Sequence, residues 1–120
     1  MEEVVKLRSK YDLVDEYWTP HIVSSLNGQD VKIAKVKGDF IWHDHEDEDE
    51  LFYVIKGKLY IEFRDGVQSI SEGEMIVVPK GVEHRPYADE ECWLMLFEPA
   101  QTKHTGNVES DLTVKNLKRI

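Results

Sequence analysis

From Val31 to Phe97 the chain is a succession of short β-prone runs, each stopped by a glycine or an acidic turn. VKIAKV ends at Lys37-Gly38, FIWHDH follows, and ELFYVI closes on Gly57. KLYIEF alternates apolar and polar residues up to Asp65-Gly66; VQSIS ends at Glu72-Gly73; EMIVV, HRPYA and CWLMLF complete the set. Branched and aromatic side chains suit a pleated, half-buried surface, and turns recurring every eight to twelve residues or so predict an all-β sandwich or barrel. Pro79 and Pro86 cannot donate ladder hydrogen bonds, so they belong at strand starts, edges or bulges. Upstream, HIVSSL reads as an edge strand ending at the Asn27-Gly28 turn. Val4, Leu7, Tyr11, Val14 and Trp18 recur at three- and four-residue steps, which predicts a short N-terminal helix or turn. In the tail, residues 99–120, QTKHTGN is loop-like. DLTVKNLKRI adds an edge strand, crosses to a partner or packs loosely; its pattern fits all three.

The residues that carry chemistry sit at two places. His43 and His45 are one residue apart, so on a strand both imidazoles face the same way. Glu50 stands where an acidic run, Asp44 and Glu46 to Glu50, meets the apolar strand. Two imidazoles and a carboxylate are a ready set of metal ligands. The rest of the run reads as a solvated loop. Farther on, EMIVV stops at Pro79-x-Gly81 and a lone histidine, His84, opens the next run.

Gly38, His43, His45, Glu50 and Gly57, followed by Gly73, Pro79, Gly81 and His84, resemble the two motifs of the cupin superfamily. One residue fewer than usual separates Gly38 from His43, and Ala88 stands where the second motif has asparagine. That removes a polar group from the end of the motif. The resemblance covers roughly residues 31–98 and implies a single-domain jelly-roll β-barrel over 1–120. It is to the small cupins of the mannose-6-phosphate isomerase-like type, although no lysine–arginine cluster for a sugar phosphate is present. It also implies one divalent metal ion per chain, held by His43, His45, Glu50 and His84. Fe, Mn, Zn, Ni, Co and Cu all accept such ligands. The chemistry expected is dioxygenase- or isomerase-like on a small organic substrate. The alternatives are a barrel that binds a small ligand without turnover and a structural metal site. Small cupins commonly pair, so a homodimer is expected.

Strand parity outlines the pocket. With His43 and His45 inward, Ile41 follows; with Glu50 inward, Phe52 and Val54 follow; with His84 inward, Pro86 and Ala88 follow. Parity leaves two phases open for CWLMLF: Trp93, Met95 and Phe97 inward, or Cys92, Leu94 and Leu96. Arg85 should face away from His84. His21 and His104 match no motif and read as ordinary surface histidines.

The 120 residues suit one domain, and 41% hydrophobic residues suit a globular core. A net charge of −9 repels a phosphate backbone, which argues against non-specific nucleic-acid binding. The single cysteine, Cys92, permits no internal disulfide and favours a reducing compartment. The charged start MEEVVKLRSK has no signal-peptide core, and no run is long enough for a membrane span. The expected location is cytoplasmic.

Overall fold

A computed structural model describes residues 1–106, 108, 110, 113 and 116–120. One short helix, α1 (Leu7–Tyr11), precedes seven strands: β1 (His21–Leu26), β2 (Gln29–Asp39), β3 (Glu50–Lys56), β4 (Lys58–Phe63), β5 (Gly66–Ser71), β6 (Met75–Val78) and β7 (His84–Pro99). All ladders between these strands are antiparallel. β7 is the hub: its first residues pair with β4, and its length pairs with β2 on one side and β3 on the other. The hydrogen-bonded path runs β1-β2-β7-β3-β6, with β5 hanging from β4. The sheet curls on itself around a core of Ala34, Val36, Phe52, Val54, Leu59, Ile61, Ile70, Val78, Ala88, Cys92, Leu94 and Leu96. This is a jelly-roll β-barrel. Among the described residues no helix is long and apolar enough to cross a membrane.

HRPYA and CWLMLF, separate runs in sequence, are one strand. Val36 pairs with Cys92 and Gly38 with Ala88, so one residue on β2 faces three on β7. The three are Asp89, Glu90 and Glu91, all exposed. Such a bulge bends the strand, and here it disguises one strand as two. The phase of the strand is settled: Cys92, Leu94 and Leu96 are buried in the main core, and Trp93 packs on the opposite face. Burial pushes the Cys92 thiol up to about 12, so it stays protonated and inert.

That opposite face is covered by the N-terminal segment. A helix of five residues has too few hydrogen bonds to persist alone. Tyr11 holds it: its ring stacks on Trp93 at 4.8 Å, its hydroxyl donates to the Leu94 carbonyl, and the side chain is fully buried with Val14, Val23 and Ile33. The end of the tail joins the sheet. Ile22 N–H donates to the Lys118 carbonyl and Ile120 N–H to the Ile22 carbonyl, which extends the edge at β1. Most of the first half of DLTVKNLKRI lies outside the described residues.

The expected strand FIWHDH does not form. β2 ends at Asp39, and only an isolated bridge, His43 to His84, continues the pairing. Phe40 N–H donates to the Pro86 carbonyl, and His43 N–H to the His84 carbonyl. Two residues therefore lie between Phe40 and His43, against one between His84 and Pro86. That one-residue slip turns Phe40 inward.

Candidate metal centre

Three segments bring the polar cluster together. His43 and His84 exchange backbone hydrogen bonds of 3.0 and 2.9 Å, which lock the first histidine segment to the start of β7. Gly81 N–H donates to the His45 carbonyl at 2.7 Å, and Lys80 N–H to Asp49 Oδ1 at 2.9 Å. The Pro79-x-Gly81 turn is thus fastened to the acidic loop, with Gly81 at φ +80° where glycine is unstrained. Glu50 is the first residue of β3 and pairs with Val78 at the end of β6. Glu46, Asp47 and Asp49 are exposed, while Glu50 turns inward and is 2% exposed. The carboxylates of one run are thereby sorted into a solvated loop and a single buried group.

His43, His45, Glu50 and His84 are all buried, and one ligand atom from each lies within 4.8 Å of the others. The Nδ1 of His43 and of His84 each sits 2.9 Å from the carbonyl oxygen two residues back, Ile41 and Val82. Each Nδ1–H donates to that carbonyl, so each Nε2 keeps its lone pair for the cluster. Glu50 Oε1 lies 3.3 Å from His45 Nε2 and 3.6 Å from His84 Nε2. Neither contact forms a hydrogen bond. His45 Nδ1 and Nε2, His84 Nε2 and Glu50 Oε1 have no hydrogen-bond partner among the described residues. Buried polar atoms left so are costly, roughly 1–3 kcal/mol each. A divalent cation bound among them would satisfy several at once, so the donor set fits a mononuclear metal.

The electrostatics agree. Burial, and then the neighbouring His84 ring, push His43 down to about 4, so it is neutral near pH 7 and able to ligate. Burial would raise the Glu50 carboxyl, but the adjoining Glu98 carboxyl and the His45 and His84 rings outweigh it and hold it well below the usual range. Glu98 moves the opposite way: burial, and then Glu50, raise it well above that range. The adjoining carboxyls are thus pushed in opposite directions, Glu50 towards its ionised form and Glu98 towards its protonated form. Behind Glu98 stands Lys32, its Nζ 2.8 Å from Glu98 Oε1, with both side chains fully buried.

A partly open cavity of ≈ 30 Å³ adjoins the cluster. Its wall consists of Trp18, Pro20, Ala34, Val36, Phe40, His43, Glu50, Phe52, Pro86, Leu94, Leu96 and His104. Of the five residues expected from parity, Phe52 and Pro86 line it. Val54 and Ala88 do not; both are buried in the hydrophobic core. Ile41 is replaced by Phe40 because of the one-residue slip before His43. His104 is no surface histidine: it is 7% exposed, with its ring 5.6 Å from that of Phe40. His21 is also buried, 8% exposed, but its Nδ1 bonds the Thr19 carbonyl, away from the cluster. Arg85 faces outward and pairs with Asp39 and Glu62 at 3.0 and 2.8 Å.

Sequence reading missed Lys32 and Glu98. Parity carried a signal for both. Lys32 shares a face with Ala34 and Val36, and Glu98 with Leu94 and Leu96, so each charge falls on a core-facing position. Trp18 and His104 as wall residues had no such signal, since both lie outside the barrel strands.

Comparison with known proteins points the same way. Residues 29–97 match the cupin domain family model. A cupin-2 domain containing protein from Shewanella frigidimarina superposes with a TM-score of 0.79 at 45% identity, covering 80% of this chain and 94% of that one. An uncharacterised protein of Bacillus subtilis, YdbB, is 38% identical over 64 residues, 52% of this chain and 57% of its own. Acireductone dioxygenase 4 of rice is 32% identical over 98 residues, 70% of this chain and 53% of its own. The chain therefore spans little more than half the length of these two relatives. With the family model covering most of the barrel strands and the two-motif histidine cluster at its centre, the chain belongs to the cupin domain family.

Proposed function

We propose that this cupin is a mononuclear metal enzyme acting on a small oxygenated organic substrate, with dioxygenase chemistry as the leading class. The observation that carries the proposal is the set of four buried ligand atoms within 4.8 Å, two of whose residues, His43 and Glu50, line a cavity walled mainly by apolar side chains. The relation to a dioxygenase of rice lends support to that class. His43 and His84 would bind through Nε2, with His45 and Glu50 completing the set. Once bound, the metal would supply Lewis-acid or redox activation of oxygen atoms at its remaining positions.

The chain's own residues do the rest. Three neutral imidazoles and one carboxylate leave a charge of about +1 at a divalent centre, which favours an anionic oxygen ligand. The Ile41 and Val82 carbonyls hold the His43 and His84 rings in orientation. Phe40, Phe52, Leu94 and Leu96 exclude water from the cavity and leave a small apolar body as its natural occupant. Glu50 is committed to ligation and is a poor general base.

Elemental analysis of untagged protein, paired with oxygen-uptake assays on small oxygenated substrates, tests this. About one iron per chain with substrate-dependent oxygen uptake supports a dioxygenase. Iron without uptake on any substrate that binds favours the non-catalytic barrel, and unfolding on chelation favours a structural metal. A homodimer and a cytoplasmic location belong to the same proposal; sedimentation velocity checks the first and fractionation the second.

A further inference from the structure

The wall of the cavity holds three polar residues, and two of them, His43 and Glu50, belong to the metal cluster. The third is His104, which comes from the tail. Its position is built rather than incidental. Thr102, His104 and Thr105 are 5%, 7% and 0% exposed, so the segment lies packed against the barrel. Gly106 fastens it: the residue has φ +62°, and a Cβ there would collide with the Asp44 carbonyl oxygen, between the two motif histidines. No other residue type fits both demands. The His104 ring lies against Phe40, whose ring is also 5.4 Å from His43.

A second wall residue from outside the barrel strands is held in an unusual way. Trp18 has φ +59°, a conformation costly for a bulky side chain, by roughly 1–3 kcal/mol. Its N–H donates to the Lys35 carbonyl and its indole Nε1–H to the Lys37 carbonyl, each at 2.9 Å. Its ring stacks on Phe40 at 4.7 Å. The two segments that flank the barrel thus meet at Phe40, one bringing a fixed apolar plane and the other a hydrogen-bonding ring.

We propose that His104 is the group that recognises the metal-bound ligand, and that the ligand class is a compact organic molecule with an apolar carbon body and paired oxygen atoms. The oxygens take the metal positions, one of them also receives a hydrogen bond from His104, and the carbon body lies against Trp18, Phe40 and Phe52. The proposal rests on the metal site proposed above.

Acetohydroxamate, a small bidentate oxygen ligand, is the probe. Titrated into cobalt-loaded protein, it should change the visible spectrum of the metal and saturate. His104→Ala should load cobalt fully, keep the ligand-free spectrum and bind the probe about tenfold more weakly, the equivalent of one hydrogen bond at ~1.4 kcal/mol. His104→Gln, which keeps a donor, should recover most of that loss and serves if the alanine variant folds poorly. Gly106→Ala should weaken the probe with His104 still present, because the strap is displaced. Full cobalt loading with equal probe affinity in wild type and His104→Ala would overturn the role of His104 and leave the metal site standing. Failure of the wild type to take up cobalt would overturn both.

Discussion

Two clusters of buried polar groups lie against each other in this barrel, and they are finished differently. Lys32 and Glu98 form a closed pair, 2.8 Å apart through Glu98 Oε1 and shut off from water, with only Glu98 Oε2 lacking a hydrogen-bond partner among the described residues. His43, His45, Glu50 and His84 are equally buried, yet His45, His84 and Glu50 keep ligand atoms with no partner among the described residues. A protein tolerates a buried polar group when it is hydrogen-bonded, as Lys32 is to Glu98 and to the Thr102 carbonyl. The second keeps several unpartnered ligand atoms, and two of its residues, His43 and Glu50, line the cavity, which is how a site differs from a structural element. Glu50 and Glu98 touch where the two clusters join, so the closed pair stands directly behind the open one.

The strongest way to break the open cluster is to remove a ligand. His84→Ala should abolish stoichiometric metal binding by elemental analysis, while His21→Ala leaves it intact; equal metal content in both would remove His84 from the ligand set. Breaking the closed pair should act on stability instead. Lys32→Met leaves Glu98 Oε1 buried without its hydrogen bond and should cost about 1–3 kcal/mol in urea unfolding. The double variant Lys32→Met, Glu98→Leu should regain much of that, since an apolar pair of similar volume removes both polar groups; no regain would show that Glu98 is needed by Glu50.

Acid sharpens the contrast further. His43 is held near 4 in the folded chain and titrates near 6.5 when unfolded, so below 6.5 the unfolded chain binds more protons. The stability from neutral His43 is complete above about 6.5 and is lost as pH falls towards 4, a total of about 3 kcal/mol. Metal-free wild type compared with metal-free His43→Asn, unfolded across that range, reads the difference directly. A constant gap between the two would contradict the burial of His43 as a neutral ring. The smallest effect belongs to Arg85, whose exposed pairing with Asp39 and Glu62 gives Arg85→Gln a cost of about 1 kcal/mol or less and no change in metal content.

How much of this was legible beforehand varies with the range of the contact. The run ELFYVI became β3 and KLYIEF became β4, because period-two patterning with glycine ends is a local property. Gly57 shows why its position resists change: at φ +89° a Cβ would lie 2.8 Å from the Glu91 carbonyl oxygen. FIWHDH was misread as a strand because the one-residue slip that turns Phe40 inward depends on its partner, β7. The same strand hid its continuity behind the Asp89–Glu91 bulge, which reads as a polar loop in one dimension.

By itself the sequence determined an all-β sandwich or barrel, because alternation and turn glycines are written in neighbouring residues, and its resemblance to the cupin motifs made that a jelly-roll barrel and singled out His43, His45, Glu50 and His84. Tertiary structure alone decided which side chains wall the cavity, where Lys32 meets Glu98, and that Trp18 and His104 converge on Phe40. Those contacts join residues far apart in the chain, and their register rests on bulges and on packing against β7, which no local pattern encodes.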